Sequence, residues 1–289
     1  MAVYKRNYKS YDGALTPAWS RFWILPRHAW KGLFRQRFLT IFYVLCLFYP
    51  LGCLLAIYLN ANLGFLAQFI RVPDGGILEI GPEFFLTYTR VQGTFAFLMT
   101  AFVGPGLVSP DLVNNALPLY FCRPFTRVEY VLGKMAVIAV LLSTITWIPG
   151  VALFLVHSSL MGWTWMRDNW WLANSMVLGS VLWIFAVSML ALAISAWVRW
   201  KIVAGAVLAL WFFLGAGLAQ AINSAIDTQK GYWLDLGHGI NRLWRDLFDI
   251  PERVETITSE EAGASIAILC ALCLLLLWKK IRAYEVVKG

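Results

Sequence analysis

Charge is scarce in this sequence. Asp, Glu, Lys and Arg make up 14% of its 289 residues, where a soluble domain carries about 25%. The acids are also confined. The spans assigned below contain no Asp or Glu and no interior His, and proton pumps, redox pumps and intramembrane proteases need such groups at depth. The three histidines, His28, His157 and His238, are scattered over both sides, which argues against a shared metal site. Cys270 and Cys273 have CxxC spacing but no partner His, and they lie in an apolar run as small packing residues. Cys46 and Cys53 are similarly placed, Cys122 lies in an inner loop, and no disulfide is expected. No G-x-x-x-x-G-K-[ST] run occurs, so the chain has no phosphate-cradling loop of its own. The first 37 residues are basic and aromatic with no early apolar core, which predicts no cleavable leader.

What fills the sequence is apolar. Hydrophobic residues reach 60%, and several runs approach or exceed the ~18 residues that cross a bilayer as a helix. The pattern predicts an all-α polytopic membrane protein. Residues 1–37 form an arm, and residues 38–289 a six-span domain with spans near 38–59, 91–108, 131–156, 171–196, 202–220 and 262–278. Pro50 and Pro149 are expected to kink their spans, and the Gly-Pro-Gly at 104–106 to end or break the second.

With the N terminus inside, 17 Lys and Arg fall on the inner side and seven outside, while four acids fall inside and twelve outside. Basic residues therefore favour cytoplasmic termini. The net charge of +8 follows from that topology and from attraction to anionic inner-leaflet lipid, and needs no nucleic acid. Twelve of the 15 Trp lie at span ends or in flanking segments, as an interfacial belt requires; Trp147, Trp183 and Trp211 are the exceptions.

Two amphipathic segments flank the spans. In 21–38, Trp30, Leu33, Phe34 and Phe38 recur at helical spacing with Lys31, Arg35 and Arg37 between them. This predicts a surface helix beginning after Pro26, serving as a membrane anchor or as a contact for a soluble partner. In 233–250, Leu236, Ile240, Leu243, Trp244, Leu247 and Phe248 oppose Asp235, Asn241, Arg242, Arg245 and Asp249. That helix caps the outer face, either packing there or gating a pathway. Two cations approach the membrane region. Lys134, one turn into the third span, is expected to snorkel inward. Arg90 falls at the outer end of the second span; a span beginning near residue 84 would place it deeper and point to an anionic substrate group.

The most specified segment is 109–134, SPDLVNNALPLYFCRPFTRVEYVLGK. Ser109-Pro110-Asp111 carries helix-start signals: a capping hydroxyl, proline at the first position and an acid at the positive end. Pro118 is expected to stop that helix after about two turns, and Arg123-Pro124 to turn a corner. Thr126 and Glu129 match the capping box that launches the third span. A plain connection would need about five residues.

Asp111, Asn115, Leu117, Pro118, Leu119, Tyr120, Arg123-Pro124, Arg127, Tyr130, Gly133 and Lys134 together resemble the run between spans two and three of the permease subunits of ABC-2-type transporters. The six-span plan, the N-terminal helix and the long last outer loop fit the same family. The resemblance implies a permease of a bacterial inner membrane, with export as the family's habit and this loop as a cytoplasmic coupling helix. It assigns docking on a separate ABC ATPase to Asp111, Asn114, Asn115, Leu117, Pro118, Leu119 and Tyr120, and the junction into the spans to Arg123, Arg127, Glu129 and Tyr130. It implies two ATPase copies binding ATP and Mg, a second permease copy forming a homodimer or related heterodimer, and no cofactor or catalytic residue in this chain. Small residues Gly205, Ala209, Gly215 and Gly217 are candidates for the dimer seam, or for packing within one subunit. Two other readings stay open from the residues: a non-transporting scaffold subunit, and a membrane-embedded lipid-modifying enzyme. The second would want a carboxylate or His cluster at an interface, and the inner acids Asp12, Asp111, Glu129 and Glu285 are widely spread.

Overall fold

Helices dominate because the chain consists of long apolar runs whose backbone groups have no other partner in lipid. The structure, a computed structural model, describes residues 23–62, 79–121, 126–251 and 256–282. The described helices are α1 (Ile24–Leu33), α2 (Arg37–Ala61), α3 (Pro82–Val103), α4 (Pro105–Val113), α5 (Ala116–Phe121), α6 (Arg127–Ile145), α7 (Trp147–Met161), α8 (Trp163–Trp197), α9 (Lys201–Ile226), α10 (Leu236–Leu247) and α11 (Ser259–Arg282), with a 3-10 turn at Lys230–Leu234. Six units are long and apolar enough to cross a membrane: α2, α3 with α4, α6 with α7, α8, α9 and α11.

The spans run longer than the sequence predicts, and the difference matters for the charges. The second begins at Pro82 and runs to Val113, so Arg90 lies eight residues inside it, about 12 Å along the axis. Asp111 is on the same helical unit.

At 35 residues α8 is the longest helix. It touches α3, α4, α6, α7, α9, α10 and α11 and is the most buried span, while α2, α9 and α11 turn most of their side chains outward. Small residues let α8 be approached closely. A Cβ on Gly104 would lie 2.7 Å from Ala191 Cβ. Ser195 Oγ donates to Pro105 O and accepts from Ser109 N, each at 3.0 Å. Those two backbone groups stand four residues apart along α4, so one hydroxyl serves a ladder that Pro105 and Pro110 have thinned of donors. Ser109 Oγ lies 2.6 Å from Val198 O.

The third span breaks where proline dictates. α6 ends at Ile145, Thr146 takes φ −102° and ψ −94°, and α7 restarts with Pro149 in its first turn, where no donor is needed. Tyr88 of α3 fills the break and donates its hydroxyl to Thr146 O at 2.8 Å. A Cβ on Gly150 would sit 2.8 Å from the Tyr88 ring.

The arm helix forms, but shorter than expected. α1 stops at Leu33, and Phe38 already belongs to α2. Leu25, Ala29, Trp30 and Leu33 pack on the core while Arg27 and Lys31 stay exposed. Trp30 Nε1 donates to Val137 O of α6 at 3.2 Å.

Candidate functional site

The segment that joins spans two and three is built around a carboxylate. The helix does not start at Ser109, as its capping signals suggest; α4 carries straight through Ser109 and Pro110 to Val113. The stop comes at Asn114 and Asn115, the latter with φ +50°, a left-handed turn that Asn tolerates. α5 then begins at Ala116, so Pro118 falls within its first turn and does not end the earlier helix. The causes differ: Pro118 takes a first-turn position that needs no donor, whereas Pro110 lies inside α4, where the Ser195 hydroxyl supports the backbone.

Asp111 Oδ2 receives Lys134 Nζ and Tyr130 Oη, each at 2.8 Å. Lys134 does not snorkel. It is buried, held in the carboxylate and lying 5.4 Å from the Tyr130 ring centroid. Tyr120 packs on Tyr130 with centroids 5.8 Å apart. Partial burial, then the nearby Asp111 charge, pushes the Tyr120 phenol above its ordinary value.

Leu117 is fully buried. It anchors α5 to the bundle. Val113, Asn114 and Asn115 are exposed and Pro118 is half-buried. The side chain of Leu119, and Arg123 with Pro124, lie outside the described residues.

The capping box at Thr126 is complete. Glu129 N donates to Thr126 Oγ1 at 3.2 Å, and Thr126 N donates to Glu129 Oε2 at 2.7 Å. Arg127 Cζ stands 5.5 Å from the Trp278 ring centroid, tying the start of α6 to the end of α11. A second box, Thr258 with Glu261, starts α11; the same hydroxyl-to-acid spacing marks it in the sequence.

At the opposite end of the bundle, α10 is inserted between helices. Asp235 caps it through Gly237 N and His238 N. Leu236, Ile240, Trp244 and Phe248 are buried. Trp244 Nε1 donates to Gly179 O at 2.9 Å, and Trp183 Nε1 donates to Gly93 O at 2.8 Å. A Cβ on Gly179 would lie 2.7 Å from Trp244 Cδ1, and one on Gly93 2.5 Å from Trp244 Cη2. The two glycines are a notch cut for one indole.

Glycines of α9 divide. A Cβ on Gly205 would meet Ala101 O at 2.7 Å and one on Gly215 would meet Leu234 O at 2.8 Å, so both serve packing inside the chain. Ala209 is half-buried, and Gly217 is exposed to open space. Among the described residues no three His, Cys, Asp or Glu gather as metal ligands. Comparison with protein families and with curated proteins finds no match for this chain.

Proposed function

We propose that the chain is the permease subunit of an ATP-driven exporter of the ABC-2 type, paired with a second permease and docked on two ATPase subunits that bind ATP and Mg. One observation carries this reading: Asp111 bonds at once to Lys134 and Tyr130, across the connection between spans two and three. A force applied at this corner then passes through the carboxylate into both spans. In this reading the α5 end of the bundle faces the cytoplasm, as the distribution of basic residues favours. Val113, Asn114 and Asn115 form the docking edge, and the capped start of α6 delivers the motion.

The test uses affinity purification of the tagged chain from its native membranes. The expected companion is an ATPase carrying a G-x-x-x-x-G-K-[ST] loop. Val113→Asp puts a charge on an exposed position, so the permease folds as before, while burying that charge under a partner is costly. Recovery of the ATPase should fall by about tenfold or more. Purification without any ATPase, from membranes where the chain is active, overturns the proposal.

A further inference from the structure

Arg90 has a charge that its protein contacts do not use. Nε donates to Asn241 Oδ1 at 2.7 Å, which clasps α3 to α10. A neutral donor could also make that bond, though a weaker one. No carboxylate among the described residues bonds to the guanidinium; the exposed Glu83 acts on it only from across the chamber. Arg90 stands about 12 Å along the axis from the start of α3 and is half-buried, and a partly desolvated cation gains from a counter-charge.

Two cavities meet at this side chain. One, of about 230 Å³, is walled by Phe97, Trp183, Phe212 and Trp244. Phe97 and Phe212 stand 4.5 Å apart between centroids, and Trp183 and Trp244 6.0 Å. The other, of about 360 Å³, is polar and is lined by Thr87, Glu83 and a second arginine, Arg245. Glu83 is exposed, so among the described residues the polar chamber is lined by two cations and one solvated acid. The aromatic chamber exceeds the ~150 Å³ that holds a benzene ring. Taken together, the two chambers fall within the ~300–1,000 Å³ of ordinary ligand sites.

We infer that this pair of chambers is a binding site for an anionic amphiphile, with its phosphate or carboxylate at Arg90 and Arg245 and its apolar body among the four rings. The charge supplies what Arg90 lacks, and the rings supply a dry, shaped wall. Asn241 holds the guanidinium through Nε and leaves both terminal nitrogens for the anion, the fork that recognises carboxylate and phosphate. Because α10 furnishes Asn241, Arg245 and Trp244, the site exists only with that helix inserted. The inference stands on binding alone and does not depend on the transport reading.

The experiment measures binding of dodecyl phosphate to the purified chain in phosphatidylcholine nanodiscs, with empty discs subtracted. Dodecanol, the same tail without charge, and inorganic phosphate, the head without a tail, are each expected to bind at least about tenfold more weakly. Arg90→Gln removes the charge. Asn241→Asp leaves the arginine in place and gives it a carboxylate of its own. Each should weaken dodecyl phosphate about tenfold or more, and Asn241→Asp should do so with thermal unfolding no lower than the native chain's, which keeps the test decisive if Arg90→Gln folds poorly. Equal binding of dodecanol or of inorganic phosphate, or full binding by Asn241→Asp, overturns the site. Discs containing phosphatidylglycerol distinguish its sources: displacement of dodecyl phosphate identifies a bilayer lipid as the occupant, and retention identifies a free amphiphile.

Discussion

Lys134 Nζ lies 2.8 Å from Asp111 Oδ2, with the two side chains only 10% and 15% exposed. Such a pair contributes little net stability against apolar replacements, yet each member depends on the other: removing one leaves a buried, unpaired charge. Asp111→Ala should therefore cost about 3–5 kcal/mol. The double variant Asp111→Ala, Lys134→Met should recover most of that loss. Thermal unfolding of the detergent-purified protein measures both, and a double variant no better than Asp111→Ala alone would show that the pair is not what holds this corner.

The notch for Trp244 gives a second expectation. Gly179→Ala forces a methyl to within 2.7 Å of the indole, and overpacking of this kind costs about 1–3 kcal/mol. Trp244→Phe removes the crowded atoms along with the bond to Gly179 O, so it should be less harmful in the Gly179→Ala background than in the native one. A double-mutant cycle by thermal unfolding reads the coupling, and simple additivity would argue against the notch.

Capping makes a smaller demand. Thr126→Ala removes the hydroxyl that accepts from Glu129 N and should cost about 0.5–2 kcal/mol, too little to unfold the bundle. If α5 is the docking element, the ATPase should remain bound to Thr126→Ala, with its hydrolysis partly uncoupled from transport. Pull-down together with ATPase and transport rates in reconstituted vesicles separates this from a loss of docking.

Orientation is the fourth. In a cysteine-free background, Ser224→Cys at the exposed end of α9 should react with an impermeant maleimide on intact cells. Asn114→Cys, exposed at the α5 end, should react only after the membrane is opened. The reverse pattern would place the α5 end outside and remove the basis for cytoplasmic docking.

Several features were legible from residue order because their causes are local. Six apolar runs announce six spans, since crossing lipid requires length and apolarity within one segment. Thr126 and Glu129 announce a cap because both partners lie within one turn. The alternation of apolar and charged residues in 236–248 announces α10, because one face meets the bundle and the other does not. Ser109-Pro110 misled for the same reason: its local signal is real, but the Ser195 hydroxyl from α8 supports the backbone and lets α4 continue.

Only the tertiary structure decided which residues of each span face inward. Lipid is as apolar as the protein interior, so hydrophobicity does not mark the buried face of a spanning helix. That Gly93 and Gly179 face one indole, that Gly205 packs on Ala101 of its own chain, that Lys134 turns to Asp111, and that Arg90 stands between two chambers each depend on residues far apart in sequence. The chain's order fixes how many helices are long and apolar enough to cross. Packing fixes which charges meet: Lys134 reaches Asp111, while among the described residues Arg90 bonds to no carboxylate.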